Sequence, residues 1–391
     1  MSSPLISPGA SVYIHIPFCR SKCPYCDFYS LPLGGTPVPD AYVAALCLDI
    51  QRHLHSDVVL GSVFIGGGTP SLLSVGQLER VVGALSATAK FADGMEFSIE
   101  VNPGSAEAPW LGEANRLGLN RLSIGVQSFQ DEALALLGRT HTGAEARACV
   151  DSARRSGFDN VNVDMMFALP RTLGNEHRRN LLHADQACIA HLAPEHVSVY
   201  GLTAEVGTPF SAQVECGDLE ECEEEEFEEQ FMAWHHTLHG LGYTHYEISN
   251  YAKPGRTCRH NMAYWQRQPC YAFGAGAHGF TAASFGIRFA CDADVAAYVD
   301  AVTKGENPRI EVESFSAEQA MAEWVYLHLR TAIGVDGMEF QRSFGLEFEQ
   351  AYAAAIHTCG SALRSVAGRW FFSPEAWLLY NHHVKNFLCS P

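Results

Sequence analysis

Several features are scarce or missing in this 391-residue chain, and each one excludes a class of protein. No apolar run approaches the roughly 18 residues that suggest a membrane-spanning helix. Met1–Ala10 has neither the basic and apolar regions of a signal peptide nor the Arg-rich pattern of a transit peptide. Basic residues are also few, since 26 Lys and Arg stand against 44 Asp and Glu, and a net charge of −18 repels phosphate backbones. We therefore expect a cytoplasmic protein with no nucleic-acid partner.

The acidic excess is partly local, because acidic residues dominate the segment 215–229. Leu219, Cys222, Phe227 and Phe231 interrupt this segment at roughly helical spacing. This pattern predicts a helix with a solvated acidic face, and a docking site for a basic partner is the alternative.

Three of the thirteen cysteines are clustered, as Cys19-Arg-Ser-Lys-Cys23-Pro-Tyr-Cys26. Without an export signal a disulfide framework is not expected, so the cluster indicates metal ligands. Three thiolates on one short loop suit an iron–sulfur cluster with one iron left open. A structural zinc site would use a fourth ligand, for example at position 28, which is a phenylalanine. A [4Fe–4S] cluster is therefore the prediction, and zinc remains the alternative.

Short β-like segments recur along the first 203 residues, each followed by a helix-length stretch. Long connections of this kind predict parallel strands joined by crossover helices. Six such units predict an α/β fold, a partial (β/α)6 barrel of the TIM type. The six predicted strands are Ser11–Phe18, Ser62–Gly67, Glu96–Asn102, Arg121–Ser128, Asn160–Phe167 and His196–Thr203.

Polar and apolar residues alternate along four of these strands, for example Glu100 beside Ile99 and Asp164 beside Val163. One strand face therefore packs on helices while a polar face points inward. Buried polar groups need partners, so a polar ligand inside the barrel is predicted. An antiparallel sheet with one wet face is the alternative.

The loops after the strands carry further candidates. Gly66-Gly67-Gly68-Thr69-Pro70 closes the second strand, and glycines allow a ligand to approach the backbone closely, although such a run is often only a turn. Glu100, Gln127 and Asp164 are predicted to point inward at a similar height, and Arg139 could pair with a carboxylate. Together they predict a polar ring above the cysteine loop.

The pattern changes after Thr203, with the acidic segment followed by a Gly- and aromatic-rich stretch over 240–280. A helix is predicted from a cap at Ser316 to Gly334, followed by short aromatic strands at Arg369–Phe372 and Trp377–Leu379. The predicted division is a tail over 1–10, a barrel domain over 11–310, and a small C-terminal helical or winged domain over 311–391.

These motifs together resemble the radical SAM superfamily, through Tyr13-Ile-His-Ile-Pro-Phe-Cys19, the cysteine loop and the glycine motif. Glu100-Val-Asn-Pro103, Gly125-Val-Gln-Ser128 and Tyr200-Gly-Leu-Thr203 are similar to its branch of oxygen-independent coproporphyrinogen III oxidases and their relatives. The resemblance implies that Cys19, Cys23 and Cys26 hold a [4Fe–4S] cluster whose open iron binds S-adenosylmethionine. It also implies a nucleotide site lined by Tyr13, Tyr25, Gly67, Gly68, Thr69, Glu100, Gln127, Arg139 and Asp164.

Two departures separate the chain from the oxidases within this branch. The oxidase pattern has another cysteine where Phe28 stands, and the oxidase has an N-terminal extension before the first strand. Both departures resemble the heme-chaperone subgroup, as does His260-Asn-Met-Ala-Tyr264-Trp265. An imidazole is a common axial ligand of heme iron, although a lone histidine beside aromatics is more often a core residue. His278 is a second candidate.

The resemblance therefore predicts a chaperone that binds heme and transfers it to apoproteins of the respiratory chain. The implied partners are heme, heme-receiving apoproteins and an electron donor such as flavodoxin or ferredoxin, with peripheral membrane contact through the recipients. An oxidase or another radical SAM porphyrin-modifying enzyme is the first alternative. A structural metal-binding module is the second.

Overall fold

A computed structural model describes residues 9–388 of the chain. In chain order, its strands are β1 Ala10–Ile16, β2 Phe18–Cys19, β3 Leu31–Pro32, β4 Val59–Gly67, β5 Lys90–Val101, β6 Arg121–Gln127, β7 Val161–Phe167, β8 His196–Gly201, β9 Thr244–Glu247, β10 Asn250–Ala252, β11 Cys270–Phe273, β12 His278–Thr281, β13 Ile287–Cys291, β14 Arg309–Ser314, β15 Val335–Asp336, β16 Leu363–Val366 and β17 Arg369–Phe372.

The helices, again in chain order, are α1 Asp40–His53, α2 Val75–Thr88, α3 Ala108–Arg116, α4 Asp131–Leu136, α5 Gly143–Arg155, α6 Asn175–Leu192, α7 Pro209–Glu215, α8 Glu224–Gly240, α9 Arg259–Trp265, α10 Val295–Lys304, α11 Ala317–His328, α12 Gly337–Phe344, α13 Phe348–Ala351, α14 Ala353–Cys359, α15 Pro374–Leu378 and α16 Tyr380–Leu388. Two short 3₁₀ turns lie at Pro70–Leu72 and Gly360–Ala362.

Twelve strands form one open sheet in the order β14-β13-β12-β11-β1-β4-β5-β6-β7-β8-β10-β9. The neighbours from β11 to β8 are all parallel, and antiparallel strands extend the sheet at both ends. This is the partial α/β barrel that the sequence predicts, and the six predicted strands are confirmed as β1, β4, β5, β6, β7 and β8. The parallel strand β11 was not predicted.

The alternation of side chains places the main hydrophobic core between this sheet and its helices. Ile99, Ile124 and Val163 from the strands are fully buried in one cluster with Leu46 of α1 and Val81 of α2. Two helices of this layer begin at capping boxes, Ser74 with Gln77 for α2 and Thr142 with Glu145 for α5. The apolar strand faces are therefore covered from outside, which leaves the polar faces for the barrel interior.

The C-terminal residues form a smaller unit with its own hydrophobic core, built on Trp324, Phe340, Phe372 and Trp377 among others. It holds the three-stranded sheet β15-β17-β16 and the helices α11 to α16. The predicted cap at Ser316 is confirmed, because Ser316 forms a capping box with Gln319 at the start of α11. That helix ends at His328 rather than at Gly334.

The predicted aromatic strand Arg369–Phe372 is confirmed as β17, but the predicted strand Trp377–Leu379 is wrong. Trp377 and Leu378 belong to α15, which Ser373 caps and Pro374 begins. Proline is favoured at the first helical position after such a cap, and this local signal outweighs the β propensity of the aromatic residue.

The acidic segment is also not one helix. α7 ends at Glu215, Gly217 takes a left-handed φ of +77°, and α8 begins at Glu224. Glu224, Glu225 and Glu226 occupy the first turn of α8, where negative charge interacts favourably with the helix dipole.

The division of the chain at residue 310 stays a prediction, and β14, which spans this position, pairs with β13 in the large sheet. Most of the predicted N-terminal tail, residues 1–8, lies outside the described residues, as do residues 389–391. Among residues 9–388, no helix has the length and apolar character needed to cross a bilayer.

Candidate functional site

A cavity of about 1150 Å³ opens at the C-terminal ends of the parallel strands and extends into the barrel. The predicted cluster ligands, nucleotide-site residues and both heme-ligand candidates line it: Tyr13, Cys19, Cys23, Tyr25, Cys26, Gly67, Gly68, Thr69, Glu100, Gln127, Arg139, Asp164, His260 and His278. The predicted polar faces of the strands line it too, with Ser123, Asn162, Ser198 and Tyr200. The fold thus brings residues from distant parts of the sequence to one space.

The cysteine loop is held at its base by the short parallel pair β2 and β3. Backbone bonds from Leu31 to Pro17 (2.8 Å), from Leu33 to Cys19 (2.8 Å) and from Gly34 to Arg20 (3.0 Å) close the loop. Within it, the amide of Cys26 donates to the carbonyl of Cys23 at 3.1 Å. The three cysteines are all partly exposed to the cavity, so their sulfur atoms are accessible to a ligand.

Hydrogen-bond donors face two of the three sulfur atoms. Thr69 Oγ1 lies 3.6 Å from Cys19 Sγ, and Arg139 Nη1 lies 3.5 Å from Cys23 Sγ. Asn102 connects the two donors, because its Nδ2 donates to Thr69 Oγ1 (2.8 Å) and its Oδ1 accepts from Arg139 Nη2 (2.6 Å). Arg139 also donates to the carbonyl of Gly125 at 2.7 Å. This network places hydrogen-bond donors beside two of the sulfur atoms and connects the loop to β4, β5 and β6.

The glycines at the end of β4 are required by close packing. Gly67 has a φ of +115°, and a Cβ atom there would lie 2.6 Å from His15 Cε1. A Cβ atom on Gly68 would lie 2.6 Å from the carbonyl oxygen of Phe18. The backbone amide of Gly67 donates to Glu100 Oε2 at 3.0 Å. Only glycine fits at these two positions of the strand end. That a ligand contacts the backbone here stays a prediction.

Two carboxyl groups inside the cavity have raised pKa values. Burial, followed by the charge of Asp164, raises the pKa of Glu100 to about 8. Burial also raises the pKa of Asp164, although Ser123 (3.2 Å) and Asn162 (2.8 Å) donate hydrogen bonds to its oxygens. A protonated carboxyl both donates and accepts hydrogen bonds, which suits a ligand rich in hydroxyl groups.

Gln127 ends β6 in an unusual backbone conformation, with a φ of +67°. The pairing of β6 with β7 is irregular between Ile124 and Gln127. A left-handed conformation is uncommon for residues other than glycine and is found where a surrounding structure holds it. The irregularity directs Gln127 toward the cavity, where it is one of the lining residues.

His260 lies deeper in the barrel, near the start of the short helix α9. That helix has no side-chain cap of its own, and Glu96 of β5 takes this role by accepting from the amides of Arg259 (3.0 Å) and His260 (3.1 Å). The imidazole ring packs near Phe64, at a centroid distance of 5.3 Å, and near Tyr13, at 6.3 Å. Burial, followed by the charge of Arg121, lowers the pKa of His260 to about 4, so the ring is neutral at pH 7.

The hydrogen bonds of Ser62 define which nitrogen of His260 carries the proton. Ser62 donates its hydroxyl proton to Ser11 Oγ at 2.9 Å, and its oxygen lies 3.3 Å from His260 Nδ1. Since a serine hydroxyl has one proton, Nδ1–H of His260 is the donor in the second contact. The lone pair of the neutral ring is then on Nε2, which is the arrangement that a metal ligand needs.

Several residues of the site were not selected from the sequence. Asn102 lies within the Glu100–Pro103 motif, where no role is predicted for it, and Glu96 is predicted only as the start of a strand. Arg121 is 2% exposed inside the barrel, and its Nε atom is buried without a partner. Its position at the start of a strand carries no sequence signal for a functional role, since the contacts form only when the sheet closes around it.

Comparison with known proteins gives the family. The model of the Radical SAM superfamily matches residues 13–181. The heme chaperone HemW of Bacillus subtilis is 33% identical over 349 residues, covering 88% of this chain and 90% of that protein. The heme chaperone HemW of Escherichia coli is 39% identical over 274 residues, covering 70% of each.

Coproporphyrinogen III oxidase (HemN) of Escherichia coli, a radical SAM enzyme, has a similar solved structure, with a TM-score of 0.83 over 99% of this chain and 92% of that one. At 20% identity, this likeness shows the fold alone. The fold is thus that of the radical SAM barrels. The chain belongs to the HemW family within the radical SAM superfamily.

Membership of this superfamily implies a [4Fe–4S] cluster and S-adenosylmethionine. Among residues 9–388, no group of three or more His, Cys, Asp or Glu side chains is arranged to hold a single metal ion. The fit with a cluster rests on the donor set: three accessible cysteines on one closed loop, with Thr69 and Arg139 directed at two of the sulfur atoms. Soft sulfur ligands with hydrogen-bond donors around them suit an iron–sulfur cluster.

Proposed function

We propose that this protein is a heme chaperone that holds a [4Fe–4S] cluster with S-adenosylmethionine and heme in one cavity and transfers the heme to apoproteins. One observation carries the proposal: the cysteine loop and His260 line the same cavity of about 1150 Å³. Pockets for a single small ligand are usually about 300–1,000 Å³. This cavity therefore has room for more than one ligand.

At the strand ends, Cys19, Cys23 and Cys26 are the proposed ligands of the cluster. Its unliganded iron would bind the amino and carboxylate groups of S-adenosylmethionine, and the cluster would supply an electron to this molecule. Tyr13, Tyr25, Gly67, Gly68, Thr69, Glu100, Gln127, Arg139 and Asp164 are the proposed lining of the nucleotide site. Their hydroxyl, carboxyl, amide and guanidinium groups match the polar character of that ligand.

In the barrel interior, His260 is the proposed axial ligand of heme iron. Three properties of its environment support this role: the ring is neutral, its Nε2 atom carries the lone pair, and aromatic rings lie beside it. Tyr264 and Trp265 follow on the same helix and line the cavity. Aromatic side chains can cover the face of a porphyrin. Several relatives of this chain, 32–39% identical to it, are named heme chaperones.

The experiment is a heme titration of anaerobically purified protein. The wild type is expected to develop a Soret band that saturates at one heme per chain, and His260→Ala is expected to weaken binding at least about tenfold. His278→Ala tests the second candidate, because His278 also lines the cavity, although it is exposed. Weaker binding in His278→Ala alone would assign the ligand to His278 instead of His260. Equal binding by the wild type and His260→Ala would contradict the assignment of His260.

The proposed partners are heme, the heme-receiving apoproteins of the respiratory chain, and an electron donor such as flavodoxin or ferredoxin. Transfer is tested by mixing heme-loaded protein with a heme-free cytochrome subunit and following the Soret maximum of the acceptor. The Soret band of the cytochrome subunit should appear when the subunit is mixed with the heme-loaded protein. It should not appear when the subunit is mixed with the heme-free form of the protein.

A further inference from the structure

One end of the cavity, between β9, α9 and the residues after α11, contains buried polar atoms without hydrogen-bond partners. They are Glu247 Oε2, Trp265 Nε1 and Arg330 Nε. All three residues line the cavity, and Glu247 is completely buried. Trp265, as a hydrogen-bond donor, and Arg330, through its charge, both act on the Glu247 carboxyl, so these groups face one another. Buried polar atoms in folded proteins are almost always hydrogen-bonded, and the Nε atom of Arg330 is a buried donor that a ligand in the cavity could use.

The three residues are held close together by the surrounding structure. Glu247 forms an isolated antiparallel bridge with Thr331, and the amide of Ile248 donates to the carbonyl of Arg330 at 3.0 Å. The Arg330 guanidinium lies 5.2 Å from the centre of the Trp265 ring. Asn250 donates a hydrogen bond to the other oxygen of Glu247, which fixes the orientation of the carboxyl group.

Arg330 is a rigid cation, packed against the rings of Trp265, Tyr326 (5.3 Å) and Tyr380 (5.0 Å). Within residues 9–388 it forms no ion pair at 4.0 Å or less. Two other arginines of the cavity, Arg267 and Arg288, are both paired with Glu323. The charge of Arg330 acts on the carboxyl of Glu247, whose pKa burial raises to about 7. A guanidinium beside a carboxyl that is only partly ionised, with a buried Nε donor of its own, is suited to bind a carboxylate from a ligand.

The remaining two atoms are compatible with an anion. The indole Nε1–H of Trp265 is a donor only. Burial raises the pKa of Glu247 to about 7, so a large share of this carboxyl group is protonated at neutral pH and can donate as well. A carboxylate placed between Trp265 and Arg330 would therefore meet donors rather than a fixed negative charge.

We propose that Arg330 and Trp265 bind the carboxylate of a propionate side chain of the tetrapyrrole carried in this cavity. This inference rests on the proposed function and adds the part of the ligand that is recognised. His260 and Trp265, both on α9, line the same cavity as Arg330, so one ligand in that cavity can contact all three residues.

The test compares heme with heme dimethyl ester, in which both propionates are neutral. Wild-type protein should bind heme about tenfold or more tightly than the ester, and Arg330→Gln should lose most of this preference while it binds the ester as the wild type does. Trp265→Phe keeps an aromatic ring but removes the donor, so it should lose part of the preference. Arg288→Gln is the matched control, because its charge is already paired, and it should keep the full preference.

The outcomes separate this inference from the function on which it rests. Equal binding of heme and ester by the wild type, or an undiminished preference in Arg330→Gln, would overturn the inference and leave heme binding in place. Loss of both ligands in Arg330→Gln would also overturn it, because it would show a packing role for the side chain. If the wild type binds neither compound, the proposed function and this inference both fail.

Discussion

At the scale of single residues, the chemistry of the interior depends on which atoms carry protons. Ser62 illustrates this, because its hydroxyl group donates a hydrogen bond to Ser11 and therefore accepts a hydrogen bond from the Nδ1–H group of His260. A small hydroxyl group far from the cysteine loop in sequence thus orients the imidazole and keeps Nε2 unprotonated. Second partners of this kind commonly fix the tautomer of a metal-binding histidine.

Ser62→Ala removes the acceptor of this Nδ1 proton. We expect the variant to fold normally, to bind heme several-fold more weakly, and to show a displaced Soret maximum, because the ring is no longer held in one orientation. A heme titration followed by absorption measures both effects. Ser86→Ala, on the exposed face of α2, is the control that should behave as the wild type.

Glu100 makes the stability of the protein depend on pH. Its pKa is about 8 in the folded protein, against an ordinary value of 4.5, so the folded state binds this proton more tightly than the unfolded chain does. The resulting stabilisation is complete below about pH 4.5 and is lost as the pH rises through 8. Glu100→Gln cannot lose a proton, and its amide oxygen can still accept from the Gly67 amide.

The free energy of unfolding of Glu100→Gln, taken relative to that of the wild type, should therefore be roughly 1–3 kcal/mol higher at pH 8.5 than at pH 5.5. The span of this energy allows for screening of the carboxyl group by water in the cavity. Urea unfolding of the cluster-free protein at the two pH values measures this gain. A stability difference between the two proteins that does not change with pH would contradict the raised pKa of Glu100.

Some of the residues selected from the sequence could be placed by their position on predicted strands, whereas others, such as Tyr25 and His260, were selected through the family resemblance. Glu100, Gln127 and Asp164 could be placed in this way because a strand has a period of two and parallel strands end at one edge. Arg330 could not. Its neighbours Trp265 and Glu247 come from elements that only the packing of α11 against the barrel brings together.

At the scale of elements, one carboxylate on β5 holds the helix that carries His260. Glu96 accepts from two amides at the start of α9, a helix of seven residues that lacks a cap of its own. The first amides of a helix have no partner within the helix, and leaving them unpaired in a buried site is costly. The position of His260 therefore depends on a strand that lies more than 160 residues earlier in the chain.

Glu96→Ala should lower the free energy of unfolding by about 1–3 kcal/mol and should weaken heme binding further than this loss of stability explains, because α9 is displaced. Thermal unfolding and heme titration of the same preparation measure the two effects. Glu79→Ala is the control, since Glu79 pairs with Arg116 on an exposed surface and should affect neither quantity strongly.

The periodic elements were predictable and the short ones were not. The six predicted strands, four of them with alternating residues, end within about two residues of the observed strands. By contrast, β11, with four residues, carries too little pattern to be recognised. The strand predicted at Trp377–Leu379 was wrong because the prediction relied on the β propensity of the aromatic residue and not on Ser373 and Pro374, which start a helix. The acidic segment was only partly predicted, because composition does not reveal the turn at Gly217.

At the scale of the whole molecule, the open barrel and its neighbouring unit enclose the cavity together. Strand ends provide the cysteine loop, while α9 provides His260 and Trp265 and the residues after α11 provide Arg330. The indole of Trp377 donates to the carbonyl of Leu329 at 3.0 Å, which attaches the C-terminal unit next to Arg330. The same barrel fold supports an oxidase in HemN, so the fold alone does not define the activity.

We expect no conversion of coproporphyrinogen III to protoporphyrinogen IX by this protein. The position that holds an additional cysteine in the oxidase pattern is Phe28, whose side chain is 70% exposed beside the cysteine loop. An anaerobic assay with reconstituted protein, S-adenosylmethionine and a reductant measures this conversion, with HemN as the positive control. Sustained turnover would favour the oxidase alternative.

The central claim is that one cavity holds two separate groups, the cluster at the strand ends and heme in the interior. Sulfide, iron and heme contents measured on the same reconstituted preparations test it most directly. Cys23→Ser should lose most of the sulfide and keep heme, whereas His260→Ala should keep the sulfide and lose most of the heme. Loss of both groups in each variant, or full heme content in His260→Ala, would contradict the account.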